Sequence, residues 1–155
     1  MTPSLPDHQR WMALALREAE RAARMGEVPV GAVVVQHGVV VGRGHNMVET
    51  RQDATAHAEM IALRRAAETL DGWRLSDAAI YVTLEPCPMC AGALILARLG
   101  TLVYGARDPK FGACGSVVNV FDEANAWNHR LTVVPDVMAE ESARLLREFF
   151  AGRRA

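Results

Sequence analysis

The sequence lacks a closed disulfide set, a membrane span and an excess of charge, and each absence narrows the problem. Its three cysteines, Cys87, Cys90 and Cys114, cannot pair off completely, so the chain is not read as a disulfide framework. No apolar run approaches the roughly 18 residues that a bilayer crossing needs. The opening MTPSLPDHQR contains no apolar signal core, so a cytoplasmic chain is expected. A formal net charge of -1 excludes a protein that coats nucleic acid through bulk charge. It leaves room for one that grips a single RNA loop through a local patch. Repeats, low-complexity tracts and linkers are also missing. What is present is 155 residues, 50% hydrophobic and 23% charged. That is the composition of one globular domain, residues 1–155, able to bury roughly 70% of its unfolded surface.

The hydrophobic pattern alternates between helical and extended periods. Trp11, Leu14, Ala15, Ala19 and Ala22 predict a helix over 7–25, with Asp7 as N-cap and Gly26 as stop. Residues 28–35 and 39–41 read as a hairpin closed by Gln36-His37-Gly38. A polar loop over 42–53 leads to a helix over 55–70, a strand over 79–84, a helix over 89–99 and a strand over 101–104. A short strand over 131–134 and a helix over 138–150 complete the chain. The order αββαβαβ–βα implies an α/β protein with one sheet and helices packed on its faces. Met89, Leu94 and Leu96 are expected in the core, and His8 and His37 on the surface. Cys114 is read as a small packing residue.

Two short motifs stand at element junctions: Thr55-Ala56-His57-Ala58-Glu59 at the start of a helix, and Leu84-Glu85-Pro86-Cys87-Pro88-Met89-Cys90 between a strand and a helix. Cys87 and Cys90 are three apart, which turns both sulfurs to one side of a first helical turn. There the positive end of the helix and its free N–H groups favour thiolates. Pro88 suits that position because it has no N–H to leave unpaired. His57 adds a ligand from a different helix. Three N/S ligands leave a tetrahedral zinc with one open position, the arrangement of a catalytic rather than a closed structural site. Glu59, two residues from His57, points elsewhere. It is placed to take a proton from water that zinc acidifies from a pKa of 15.7 to about 7. Acid–base help of this kind is worth roughly a hundred- to ten-thousand-fold. Taken singly, His57 reads as a partly buried structural histidine, Glu59 as a solvated helix charge, and Cys87-Pro88-Met89-Cys90 as a thioredoxin-like redox pair. A closed structural zinc would need Cys114 as its fourth ligand. The combination favours the catalytic metal.

H-x-E followed by P-C-x-x-C is similar to the signature of zinc nucleobase deaminases. Around it, Glu27-Val28-Pro29-Val30-Gly31-Ala32, Tyr81-Val82-Thr83-Leu84-Glu85-Pro86-Cys87, Gly105-Ala106-Arg107-Asp108-Pro109-Lys110 and Asn128-His129-Arg130 resemble the bacterial tRNA-specific adenosine deaminases. The likeness runs from residue 11 to 150. It implies a three-layer α/β/α cytidine-deaminase-like fold with one five-stranded sheet, and a homodimer. The implied reaction is hydrolytic deamination of the wobble adenosine to inosine in a tRNA anticodon stem-loop, typically of an arginine tRNA. By the same resemblance one zinc per subunit sits on His57, Cys87 and Cys90, and Glu59 shuttles the proton. Val30, Asn46 and Ala58 line the pocket for the flipped base, and Asp108 and Lys110 meet the flanking nucleotides. The last helix, with Phe149, Phe150, Arg153 and Arg154, meets the anticodon loop, although the chain stops at Ala155 without the longer basic tail of some relatives. A loop base that is already unstacked costs less to extrude than one in a duplex. Two other readings remain open. A guanine, other free-base or nucleoside deaminase of the same fold also resembles the HAE and EPCPMC text, with residues 105–116 favouring the tRNA enzyme. A non-catalytic metal or redox module would have no use for Glu59.

Overall fold

Strand residues alternate between two apolar faces, and helices cover both. The computed structural model describes residues 3–154. Its elements are α1 (Leu5–Arg24), β1 (Gly31–Gln36), β2 (Val39–His45), α2 (Val48–Arg51), α3 (Ala58–Leu70), β3 (Ala78–Leu84), α4 (Pro88–Leu96), β4 (Thr101–Ala106), β5 (Thr132–Val134) and α5 (Ala139–Arg154). The strands make one sheet in the order β2-β1-β3-β4-β5. β1 runs antiparallel to β2 and β3, whereas β3, β4 and β5 are parallel. Ala32, Val34, Ile80, Val82 and Leu102 point to one side, onto Ala62 and Ala66 of α3 and Leu94 of α4. Val33, Val35, Tyr81 and Val103 point to the other, onto Met12 and Ala15 of α1. α5 packs against β4 beside α1. This is the expected three-layer α/β/α arrangement. No helix among the described residues is long and apolar enough to cross a membrane.

Several elements depart from the sequence reading, some because of distant contacts and some because of where a helix begins. β2 continues to His45 through residues assigned to a loop, because α3 lies so close that a Cβ on Gly42 or Gly44 would strike its backbone at Ala62 and Ala58. The helix answers with Ala58, Ala62 and Ala66 at intervals of one turn. α2 forms inside the same supposed loop. The Glu27 carboxylate caps it, accepting from the N–H groups of Glu49 at 3.1 Å and Thr50 at 2.6 Å. The N-cap of α1 is Ser4, not Asp7. Asp7 instead closes a capping box from the third helical position, accepting from the Ser4 N–H at 3.0 Å. Leu96 is 70% exposed rather than in the core. It lies two positions after Leu94, which turns it to the opposite side of α4.

His8 also departs from expectation. It is buried on α1, with Nδ1 2.8 Å from the Tyr81 hydroxyl of β3. Burial holds its pKa below the ordinary 6.5, with Asp7 pulling weakly the other way. The folded chain therefore resists a proton that the unfolded chain accepts. The stability this neutral imidazole contributes is complete above 6.5 and is lost as the pH falls below that value. Denaturant unfolding between about pH 7.5 and 5.5 should cost the wild type more stability than His8→Gln, which cannot titrate. An equal loss in both proteins would assign the acid sensitivity to other groups.

Candidate active site

Two helix starts face each other beyond the C-terminal end of β3. His57 is the N-cap of α3 and Cys87 the N-cap of α4, and neither side chain caps its own helix. Both are turned toward each other instead. His57 Nδ1 lies 3.6 Å from the sulfur of Cys87 and 3.6 Å from that of Cys90, which stands in the first turn of α4 behind Pro88. All three donor atoms fall within 4.8 Å of one another. A tetrahedral ion with bonds of about 2.05 Å to nitrogen and 2.3 Å to sulfur separates those two atoms by about 3.6 Å. The trio therefore fits a metal ion, and its donor chemistry is the kind zinc prefers.

The surrounding fields prepare these groups. The hydrogen bond from the Cys90 thiol, helped by His57 and opposed by burial, draws Cys87 down to about 4, which favours its thiolate. The same bond, together with burial, pushes Cys90 up. The Cys87 sulfur raises His57, against the pull of burial. Glu59 lies in the first turn of α3, beside the Cys90 thiol, and is only 4% exposed. Burial lifts its carboxyl above the usual carboxylate range.

A cavity of about 440 Å³ opens above this group. Of the residues singled out in the sequence, His57, Glu59 and Cys87 border it together with Val30, Asn46, Ala58 and Asp108. Cys90 is buried beneath. A backbone bond from the Asn46 N–H to the Val30 carbonyl, 3.0 Å, ties two of the lining residues together. Lys110, Phe149 and Arg153 do not border the cavity. Lys110 stands on the same loop as Asp108, whose Oδ1 accepts its N–H at 2.9 Å. Arg153 lies over the Phe149 ring, 4.6 Å from its centroid, and donates to the Gly26 carbonyl at the turn after α1. Phe150 is exposed, and the side chain of Arg154 lies outside the described residues. Val28, Leu84, Met89 and Phe111 supply apolar walls that the sequence did not assign to the site. Val28 could have been found, since it lies two positions before Val30 in the segment read as a strand. Met89, expected in the core, is half-buried at the cavity because the first turn of α4 faces it.

A three-layer fold with an imidazole, two thiols and a buried carboxyl at the floor of one cavity defines an enzyme of the deaminase class. The family model of the MafB19-like deaminases matches residues 6–154. The tRNA-specific adenosine deaminase of Bacillus subtilis is 47% identical over 140 residues, which span 90% of this chain and 86% of that protein. The chain belongs to the tRNA-specific adenosine deaminase family. A structure solved in a study of A-to-I editing by tRNA:A34 deaminases at the wobble position superposes with a TM-score of 0.82 at 43% identity, covering 88% of this chain and 99% of the other. A guanine deaminase from Nitrosomonas europaea is more distant, with a TM-score of 0.77 at 26% identity, covering 92% and 84%.

Proposed function

We propose that this chain deaminates the wobble adenosine of a tRNA anticodon to inosine, typically in an arginine tRNA. In this reading it acts as a cytoplasmic homodimer of single-domain subunits, residues 1–155, each holding one zinc ion. The observation that carries the reading is the buried Glu59 carboxyl beside the His57, Cys87 and Cys90 group at the floor of an open cavity. The names of the relatives supply the substrate. Bound zinc supplies the Lewis acidity that makes water a nucleophile near neutral pH.

The remaining work falls to the chain. Glu59 takes the proton of the attacking water as its oxygen bonds to C6 of the adenine. It passes that proton to the base, then takes the second proton from the new C6 hydroxyl and hands it to the departing amine as the C6–N bond breaks. Water enters, ammonia leaves, and the exocyclic amine is replaced by the inosine carbonyl. Val30, Asn46 and Ala58 enclose the flipped base, and Asn46 offers amide hydrogen bonds to its edge. Asp108 and Lys110 meet the flanking nucleotides, while Phe149 and Arg153 meet the anticodon stem-loop.

The test is incubation of the zinc-loaded protein with an unmodified arginine tRNA transcript whose anticodon begins with adenosine. Reverse transcription reads inosine as guanosine, and guanine, adenosine and cytidine are assayed in parallel. Inosine is expected at the wobble position alone. Turnover of free guanine with untouched tRNA would move the chain among base deaminases. Silence on every substrate would favour a binding or redox role.

A further inference from the structure

After β4 the chain leaves the sheet, and residues 108–116 turn back to border the cavity through Asp108 and Phe111. One buried side chain holds this stretch in place. Glu85 stands at the end of β3, two residues before the ligand Cys87, and is 2% exposed. Its Oε1 accepts from the Asp108 N–H at 3.1 Å and the Ser116 hydroxyl at 2.5 Å. Its Oε2 accepts from the N–H groups of Cys114 at 2.9 Å and Ser116 at 3.2 Å. Gly112 passes so near that a Cβ there would strike Oε2 and the Asp108 carbonyl. The neighbouring Pro86 carbonyl accepts the Ala113 N–H at 2.8 Å. Asp108 then shapes the cavity rim, its Oδ1 accepting from the N–H groups of Lys110 and Phe111 at 2.9 and 3.3 Å.

All four partners of Glu85 are donors, and only a carboxylate satisfies four donors at once. A glutamine amide offers a single oxygen and would turn its own hydrogens onto a loop N–H. Burying a carboxylate is costly unless its oxygens are hydrogen-bonded, so the loop and the carboxylate require each other. Glu85, Pro86 and Cys87 are consecutive, so the rim is referenced directly to the metal-binding turn.

We propose that Glu85 is a positioning residue for substrate. It fixes Asp108 and Phe111 against the metal-binding turn and so sets how tightly the nucleotides beside the reacting base are held, without touching them. This rests on the reading of Asp108 as a contact for flanking nucleotides.

The experiment compares wild type, Glu85→Gln and the milder Ser116→Ala on a tRNA anticodon stem-loop. The readouts are kcat, KM, zinc content and amide hydrogen exchange. Glu85→Gln should raise KM by about tenfold or more while kcat stays within about threefold and zinc stays bound. Ser116→Ala should shift KM the same way by less, and it carries the test if Glu85→Gln does not fold. Amides over 108–116 should exchange faster in Glu85→Gln while those of β1 and β3 do not. A lowered kcat at unchanged KM, or an unchanged KM in both variants, overturns the proposal. If the wild type fails to deaminate the stem-loop, the substrate reading fails first. The exchange data then still decide the anchoring: acceleration confined to 108–116 supports it, and unaltered exchange overturns it.

Discussion

Glu59→Gln should keep a full complement of zinc and lose about a hundred- to ten-thousand-fold in turnover of the tRNA substrate. The substitution preserves volume at a site only 4% exposed, so α3 has no reason to shift. The group that could hold a metal ion is His57, Cys87 and Cys90, so ligation by it would not depend on the lost oxygen. What disappears is the ability to accept a proton from water and deliver it to the leaving amine. An amide has no pKa in the working range, and the other two carboxyls that line the cavity, Glu85 and Asp108, are engaged elsewhere. Glu85 is occupied by four loop donors, and Asp108 is at the rim. Single-turnover kinetics with metal analysis of the same preparation checks both halves. A near-normal rate would mean that another group moves the proton. Joint loss of zinc and activity would make Glu59 a ligand and redistribute the roles of the site.

The chemistry was more legible in the sequence than its enclosure. His57, Glu59, Cys87 and Cys90 declare themselves because metal ligation demands particular residue types at short, fixed spacings. Both motifs also open helices, so their local geometry travels with the sequence. The two-faced sheet was legible for a similar reason: runs such as Val33-Val34-Val35 and Ile80-Tyr81-Val82 can be buried on both sides only between helices. The parts that escaped depend on partners far along the chain. α2 is four residues long and takes its cap from Glu27. Gly42 and Gly44 look like loop residues until the backbone of α3 is laid against them. Glu85 sits in full view within a motif, yet its task is set by Asp108, Cys114 and Ser116. Leu96 and Met89 follow the hydropathy rule, but the side of α4 that each occupies depends on where the helix begins.

Cys87→Ser should abolish both metal binding and deamination while leaving the fold intact. Serine is well suited to this position, because Cys87 is the N-cap of α4 with extended backbone angles, φ -75° and ψ 172°. The first turn, and Cys90 within it, should therefore stay in place. What serine cannot supply is a ready anionic ligand. The thiol it replaces is drawn down to about 4 by Cys90 and His57, whereas a hydroxyl stays protonated in the same field. Cys114 is no substitute: burial, reinforced by Glu85, pushes its thiol up, and it lies outside the metal-binding group. Zinc should fall below about a tenth of an equivalent. The rise in melting temperature that zinc gives the wild type, a mass-action effect of binding to the folded state, should vanish in the variant. Full zinc in Cys87→Ser would overturn the ligand assignment. Zinc loss here beside zinc retention in Glu59→Gln would separate the residues that hold the metal from the one that moves the proton. A thioredoxin-like dithiol offers no account of that division, because its chemistry needs both sulfurs, no metal and no buried carboxyl.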